Sequence, residues 1–90
     1  MKIRKHFYFS GRVQGVGFRF WAKTLAQPYG LTGWVDNLWD GRVEMEVQGE
    51  ASDIRDYVEE LGNQRFISID GIESKQIPLK DEYGFRSRGY

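Results

Sequence analysis

The order of hydrophobic and polar residues predicts four strands, two helices and a short last strand. Strict alternation of the two residue types is typical of a strand with two unlike faces. Apolar residues at spacings of three and four instead indicate a helix with one apolar stripe. Strands are predicted at residues 5–13, 31–37, 42–48, 67–77 and 85–90. The first helical stripe begins at Phe18 and ends by Pro28 and Gly30. The second begins at about residue 52 and ends at residue 61.

Turn-forming residues mark where these elements end. The Asp-Gly pair at 40–41 is a strong hairpin signal, so the second and third strands are expected to be neighbours. Pro28 removes a backbone donor from the last turn of the first helix, and we expect that helix to end early. The Gly-Asn pair at 62–63 ends the second helix, and the Asp-Gly pair at 70–71 is expected to interrupt the fourth strand.

The element order β-α-β-β-α-β indicates an α+β fold. It is typical of the ferredoxin-like split βαβ sandwich, in which an antiparallel sheet of four to five strands carries two helices on one face. Ninety residues with 40% hydrophobic content suffice for one modest core. We therefore expect residues 1–90 to form a single domain.

The segment between the first strand and the first helix is suited to binding an anion. Gly15 and Gly17 permit positive φ and a close approach of ligand to backbone, so that successive N–H groups can face one guest. The helix beginning at Phe18 adds a partial positive charge, and Arg19 adds a planar cation that suits phosphate oxygens. The spacing does not fit a Walker loop or, with Phe20 in place of glycine or alanine, a dinucleotide fingerprint. A plain strand-to-helix turn is the alternative explanation.

Composition removes several classes of function. Thirteen basic and thirteen acidic residues give zero formal net charge, so no broad field attracts nucleic acid or an anionic membrane. With no cysteine and one histidine, the chain offers neither a disulfide framework nor a thiolate zinc site, which suits a reducing cytosol. The sequence also lacks a signal peptide and any apolar run of membrane-spanning length. We expect a cytoplasmic protein that binds no metal, nucleic acid or membrane.

Three segments resemble the acylphosphatase family: GRVQGVGFR at residues 11–19, GLTGWVDN at 30–37 and DGRV at 40–43. Their spacing agrees with the family without a gap, and the likeness covers essentially the whole chain. The resemblance implies hydrolysis of an acyl phosphate to a carboxylate and inorganic phosphate, without a metal, a cofactor or a covalent enzyme intermediate. It implies a small-molecule substrate, with inorganic phosphate as product and inhibitor, and we expect a monomer.

The resemblance also implies a role for each residue of the site. Arg19 matches the family's phosphate-binding arginine, and Asn37 matches the asparagine that positions the attacking water, whose proton the substrate phosphate is thought to accept. Asp36 replaces a residue that is often basic in the family, and strand alternation should point its side chain away from Asn37. Taken singly, Arg19 is also explained as a solvated helix arginine and Asn37 as a turn residue. The backbone N–H groups expected to complete the phosphate cradle are those of Gln14, Gly15, Val16, Gly17, Phe18 and Arg19.

Two other functions are compatible with parts of the pattern. Acylphosphatase-like domains also occur inside larger maturation proteins for hydrogenases, which leaves a non-catalytic anion-binding or regulatory module as one alternative; the length of the chain favours a free-standing enzyme. RNA binding is the other, because ferredoxin-like folds host RNA-recognition domains. Glu44 and Glu46 of the third strand argue against it, since they would repel phosphates and provide no ring for stacking.

Overall fold

Five strands and two helices make up most of residues 1–89, which are the residues that the computed structural model describes. The predicted α+β ferredoxin-like fold is confirmed, with both helices packed against one sheet. The structure contains all the predicted elements in the expected order. These elements are β1 (Lys2–Arg12), α1 (Phe18–Ala26), β2 (Thr32–Asn37), β3 (Val43–Glu50), α2 (Ala51–Gly62), β4 (Ser68–Ile77) and β5 (Phe85–Ser87).

The sheet is mixed rather than purely antiparallel. Its strand order is β4-β1-β3-β2-β5, and the first four strands pair antiparallel with their neighbours. The fifth strand pairs parallel with β2, with Gly33 opposite Phe85. This direction arises because residues 78–84 carry the chain from one edge of the sheet to the other before β5 begins. The predicted last strand ends at Ser87 in the structure, and its final residue, Tyr90, lies outside the described residues.

The hydrophobic core lies between the helices and one face of the sheet. Phe7 stacks on Phe9 with ring centroids 5.3 Å apart, and Phe9 meets Phe18 at the start of α1 at 5.1 Å. The hydroxyl of Tyr57 on α2 donates to the carbonyl oxygen of Ala22 on α1 at 2.7 Å. Burial raises the pKa of Tyr57, so this hydroxyl stays a donor. The other core residues are Val13, Ala26, Leu31, Val35, Val43, Met45, Val47, Ile54, Leu61, Ile67 and Phe85.

Two sequence predictions about element ends have different outcomes. The early end of α1 is confirmed, because the helix stops at Ala26, before Pro28. The predicted interruption of the fourth strand is wrong, because β4 runs without a break from Ser68 to Ile77. Ser10 pairs with Gly71 and Gly11 with Ile69, so Asp70 is an extra residue in the ladder. A β-bulge therefore accommodates the turn-forming pair that was expected to interrupt the strand: the pairing register shifts there, but the strand continues.

The crossover of residues 78–84 is fastened to the open face of the sheet by a buried arginine. The Arg4 side chain is fully buried and donates to Glu82 at 2.7 Å and to Glu46 at 2.9 Å. Gln48 exchanges two hydrogen bonds of 2.9 Å with the backbone of Lys80. Because a buried charge is costly unless it is paired, these contacts hold the crossover at one position on the sheet.

We predict that Glu46→Gln reduces the acid sensitivity of folding. Burial by itself raises the pKa of Glu46, but hydrogen bonding and charge from Arg4 and Lys80 outweigh it and hold the pKa below its ordinary value. The carboxylate therefore contributes stability above pH ~4.3, the ordinary glutamate pKa. That contribution is lost as the pH falls through the lower folded-state pKa.

Urea unfolding at a series of pH values measures this effect. From about pH 6 to about pH 3, the free energy of unfolding should fall further for the wild type than for Glu46→Gln. Glu59→Gln, at an exposed position on α2, is the control and should keep the wild-type pH dependence. The same acid dependence in wild type and Glu46→Gln would exclude this role for Glu46.

Candidate functional site

The loop between β1 and α1 has the backbone conformation that an anion cradle requires. Gly15 and Gly17 have φ values of 73° and 81°, in the left-handed region that side-chain-bearing residues disfavour. Gly17 is the N-cap residue of α1 and brings no side chain to hydrogen-bond the first N–H groups of the helix. Those groups carry the positive end of the helix dipole. The loop and the helix start therefore present N–H donors and partial positive charge together.

Gln14 fixes this loop to the turn between β2 and β3. Its side-chain Nε2 donates to the carbonyl oxygen of Leu38 at 2.7 Å and to that of Arg42 at 2.9 Å. Within the turn, Asp40 accepts from the Arg42 backbone N–H at 3.1 Å and from its Nε at 2.8 Å. The backbone hydrogen bond from Arg42 is the main reason that the pKa of Asp40 lies below its ordinary value. The turn, and with it Asn37 at the end of β2, is thereby held beside the loop.

Arg19 and Asn37 line one open cleft, although they belong to different elements. The cleft has a volume of about 650 Å³ and is bounded by the glycine loop, α1 and the ends of β2 and β5. The two residues therefore border the same space. Val16 is not among the residues that line this cleft, and its side chain packs against the hydrophobic core. The predicted residues that line this cleft are Gly15, Gly17, Phe18, Arg19 and Asn37.

A second cleft, of about 430 Å³, also borders Arg19 and Asn37. It is lined by Gln14 from the loop and by Asp36 and Trp39 from β2 and the following turn. Strand alternation takes the Asp36 side chain to the face opposite Asn37, yet Asp36 still borders this second cleft. Trp39 is 98% exposed, so its ring forms an outer wall rather than part of the core.

Residues 88–89 contact Arg19 from the side of β5. Arg19 Nη1 donates to the carbonyl oxygen of Arg88, and a Cβ on Gly89 would lie only 2.8 Å from the same nitrogen. The Arg88 N–H donates to the carbonyl oxygen of Val35 at 2.8 Å, and its guanidinium lies 3.9 Å from the Trp34 ring centroid. These contacts orient the Arg19 guanidinium. The sequence analysis missed them, because only the parallel pairing of β5 with β2 brings this segment to the cleft.

His6, Glu44 and Glu46 lie away from the clefts. On the open face of the sheet, His6 Nε2 lies 2.7 Å from Glu44, while Glu46 pairs with Arg4. Within residues 1–89, no three His, Cys, Asp or Glu side chains are grouped closely enough to hold a metal ion. The two helices described are both too short to span a membrane. Arg19 and Asn37 are the charged residue and the amide that border both clefts.

The structure is thus a ferredoxin-like α+β sandwich in which a glycine loop and the start of α1 border two open clefts. The family model described as Acylphosphatase matches residues 5–87. The chain belongs to the acylphosphatase family, as the resemblance of its sequence segments predicts.

Individual relatives agree with this membership. The chain is 53% identical over 72 residues to an acylphosphatase of Clostridium perfringens, a match that covers 76% of this chain and 81% of the relative. It is 40% identical over 81 residues to an acylphosphatase of Bifidobacterium longum, covering 89% of this chain and 84% of the relative.

Solved structures also share the fold. The crystal structure of acylphosphatase from Bacillus subtilis is similar with a TM-score of 0.90 and 32% identity, covering 99% of this chain and 100% of that one. Full-length HypF in its phosphate- and nucleotide-bound form is similar with a TM-score of 0.85 and 29% identity. In that comparison 99% of this chain matches 12% of the longer chain.

We predict that Gly17→Ala destabilises the protein by about 1 to 2 kcal/mol through backbone strain. A Cβ at this position would lie 3.7 Å from the Trp21 ring, an ordinary contact, so the positive φ and not crowding carries the effect. Urea unfolding measures the change. Gly62→Ala is the matched control, because Gly62 ends α2 without a positive φ and its Cβ would meet Ile69 at 3.5 Å. Equal destabilisation by the two substitutions would contradict the strain argument.

Proposed function

We propose that this protein hydrolyses acyl phosphates to a carboxylate and inorganic phosphate at the clefts beside Arg19. One observation carries the proposal: Arg19 and Asn37, from separate elements, line the same two clefts next to the glycine loop. A cradle for a phosphate group and a neutral amide that can hold water are thus adjacent. Membership of the acylphosphatase family supports the reaction class.

The loop and Arg19 bind the phosphate group. Backbone N–H groups from Gln14 to Arg19 donate to its oxygens, and the start of α1 adds its partial positive charge. The Arg19 guanidinium binds two oxygens through its planar fork. Phosphoryl transfer spreads charge over the equatorial oxygens in the transition state, where fixed donors stabilise it most. Inorganic phosphate, as product, occupies the same donors and inhibits.

Asn37 positions the attacking water. Its amide oxygen accepts a hydrogen bond from the water, and the amide stays neutral, so it does not repel the substrate dianion. The water oxygen forms a bond to phosphorus as the bond between phosphorus and the acyl oxygen breaks, and the carboxylate leaves with the electron pair. The water's proton passes to a phosphate oxygen. No carboxylate or imidazole is among the described residues that line the first cleft, which supports a route without a protein base there.

The glycine loop, Arg19 and Asn37 also suit a reaction that uses neither a strong base nor a metal ion. An acyl phosphate already carries a good leaving group, so positioning and charge stabilisation suffice without a strong base or a metal ion. The absence of cysteine from the sequence is compatible with the cytoplasm as its location.

A non-catalytic anion-binding module is the second candidate function. The likeness of this chain to one eighth of full-length HypF, about 12% of its length, favours it, because similar folds thus occur within larger proteins. Such a module would bind phosphate through the same loop. Turnover of an acyl phosphate separates the two functions, since a binding module returns no carboxylate.

We predict that Arg19→Ala abolishes measurable hydrolysis of benzoyl phosphate in the presence of EDTA. Loss of a preorganised donor costs about 3 to 4 kcal/mol in the activation barrier, and inhibition by inorganic phosphate should weaken as well. Arg19→Lys should also fail, because an ammonium cannot reproduce the planar fork. Arg55→Ala, an exposed arginine on α2, is the control. Full activity of Arg19→Ala would refute the assigned role, and loss of wild-type activity in EDTA would refute the metal-free reaction.

We predict that Asn37→Ala lowers kcat by a factor of about 100 or more while the inhibition constant of phosphate stays close to the wild-type value. The water is misplaced in this variant, whereas the cradle is intact. Asp56→Asn, at an exposed position on α2 away from both clefts, is the control and should retain turnover. Steady-state kinetics with phosphate as inhibitor give both constants. A large rise in the phosphate inhibition constant with unchanged kcat would assign Asn37 to phosphate binding instead.

A further inference from the structure

The two clefts at Arg19 differ in charge. The larger cleft runs along α1, where Arg19, Lys23 and Gln27 lie four residues apart and so share one side of the helix. Arg19 and Lys23 are the charged residues among its described lining. The smaller cleft also borders Arg19 but has Asp36 in place of Lys23. An acyl group with a second negative charge is therefore better accommodated by the larger cleft.

Lys23 borders both the larger cleft and a neighbouring groove. This groove, of about 300 Å³, shares Lys23 and Gln27 with the cleft and passes on between the end of α1 and β5. Lys23 forms no ion pair with any carboxylate of residues 1–89, and its side chain is exposed. Four helical residues rise by about 6 Å, so Lys23 lies about one helical turn beyond Arg19, and its long side chain is within reach of an acyl group bound beside the phosphate cradle.

We propose that Lys23 is a specificity-determining residue that favours acyl phosphates of dicarboxylic acids, by pairing with the carboxylate at the far end of the acyl group. This inference rests on the proposed hydrolysis of acyl phosphates. The alternative explanation of Lys23 is structural, because a lysine in the last turn of a helix stabilises the helix dipole. A structural role affects the turnover of every substrate alike, whereas a pairing role changes the preference between charged and uncharged acyl groups.

The test compares 4-carboxybenzoyl phosphate with 4-methylbenzoyl phosphate, two rigid substrates of similar size. The measured quantity is the ratio of their kcat/KM values at low ionic strength. At low salt, Lys23→Gln should lower this ratio by a factor of about 5, the usual upper range for an exposed ion pair. Lys23→Arg should restore it, and added salt should reduce the difference between wild type and Lys23→Gln. Lys75→Gln, which removes the same charge from exposed β4, should leave the ratio unchanged.

Each outcome bears on the inference separately from the proposed function. A ratio that is the same in wild type and Lys23→Gln, with normal turnover of 4-methylbenzoyl phosphate, overturns the role of Lys23 and leaves the hydrolysis intact. An equal loss on both substrates overturns it as well and assigns Lys23 to helix stability. No turnover of either substrate by folded wild-type protein contradicts the proposed function, and the inference fails with it.

Discussion

The hydrogen bonds of Gln14 to the turn between β2 and β3 are the constraint on which the site depends. Arg19 belongs to α1 and Asn37 to β2, so neither element alone sets the distance between them. The amide of Gln14 bonds to two carbonyl oxygens, those of Leu38 and Arg42, and so ties the loop before α1 to the residues after β2. This one side chain thereby holds the loop before α1 beside the end of β2, as positioning of a reacting group requires.

The two faces of the sheet contribute to this edge in different ways. The helix face supplies the apolar core that fixes the start of α1 through Phe9 and Phe18. The open face supplies the buried ion pairs of Arg4, which hold the crossover of residues 78–84 and so direct β5 to its place beside β2. Because residues 88–89 follow β5 and contact Arg19, an arginine on the far side of the sheet helps to orient the one at the cleft.

Local pattern was sufficient to predict the elements and the glycine loop, whereas Asn37 was assigned to the candidate site only through the family resemblance, and neither source predicted the contacts. Alternation and helical spacing depend on short stretches, and the glycine loop carries its own conformational signal in Gly15 and Gly17. The parallel pairing of β5 depends on the crossover of residues 78–84, where hydrophobic and polar residues follow no regular spacing. The burial of Arg4 contradicts the usual exposure of arginine and follows only from the partners that the crossover brings. The contact of residues 88–89 with Arg19 also depends on this crossover, because the crossover brings β5 beside β2.

The interlaced order of the strands also sets how the chain reaches its folded state. The first strand lies inside the sheet and pairs with the third and fourth, while the fifth pairs with the second. Almost every strand pairing must therefore close a long loop before it gains contacts, and topologies of this kind fold more slowly than helical bundles of equal length. During synthesis the first strand has no neighbour until the third has emerged from the ribosome, so residues 1–42 have to remain soluble while this strand is unpaired.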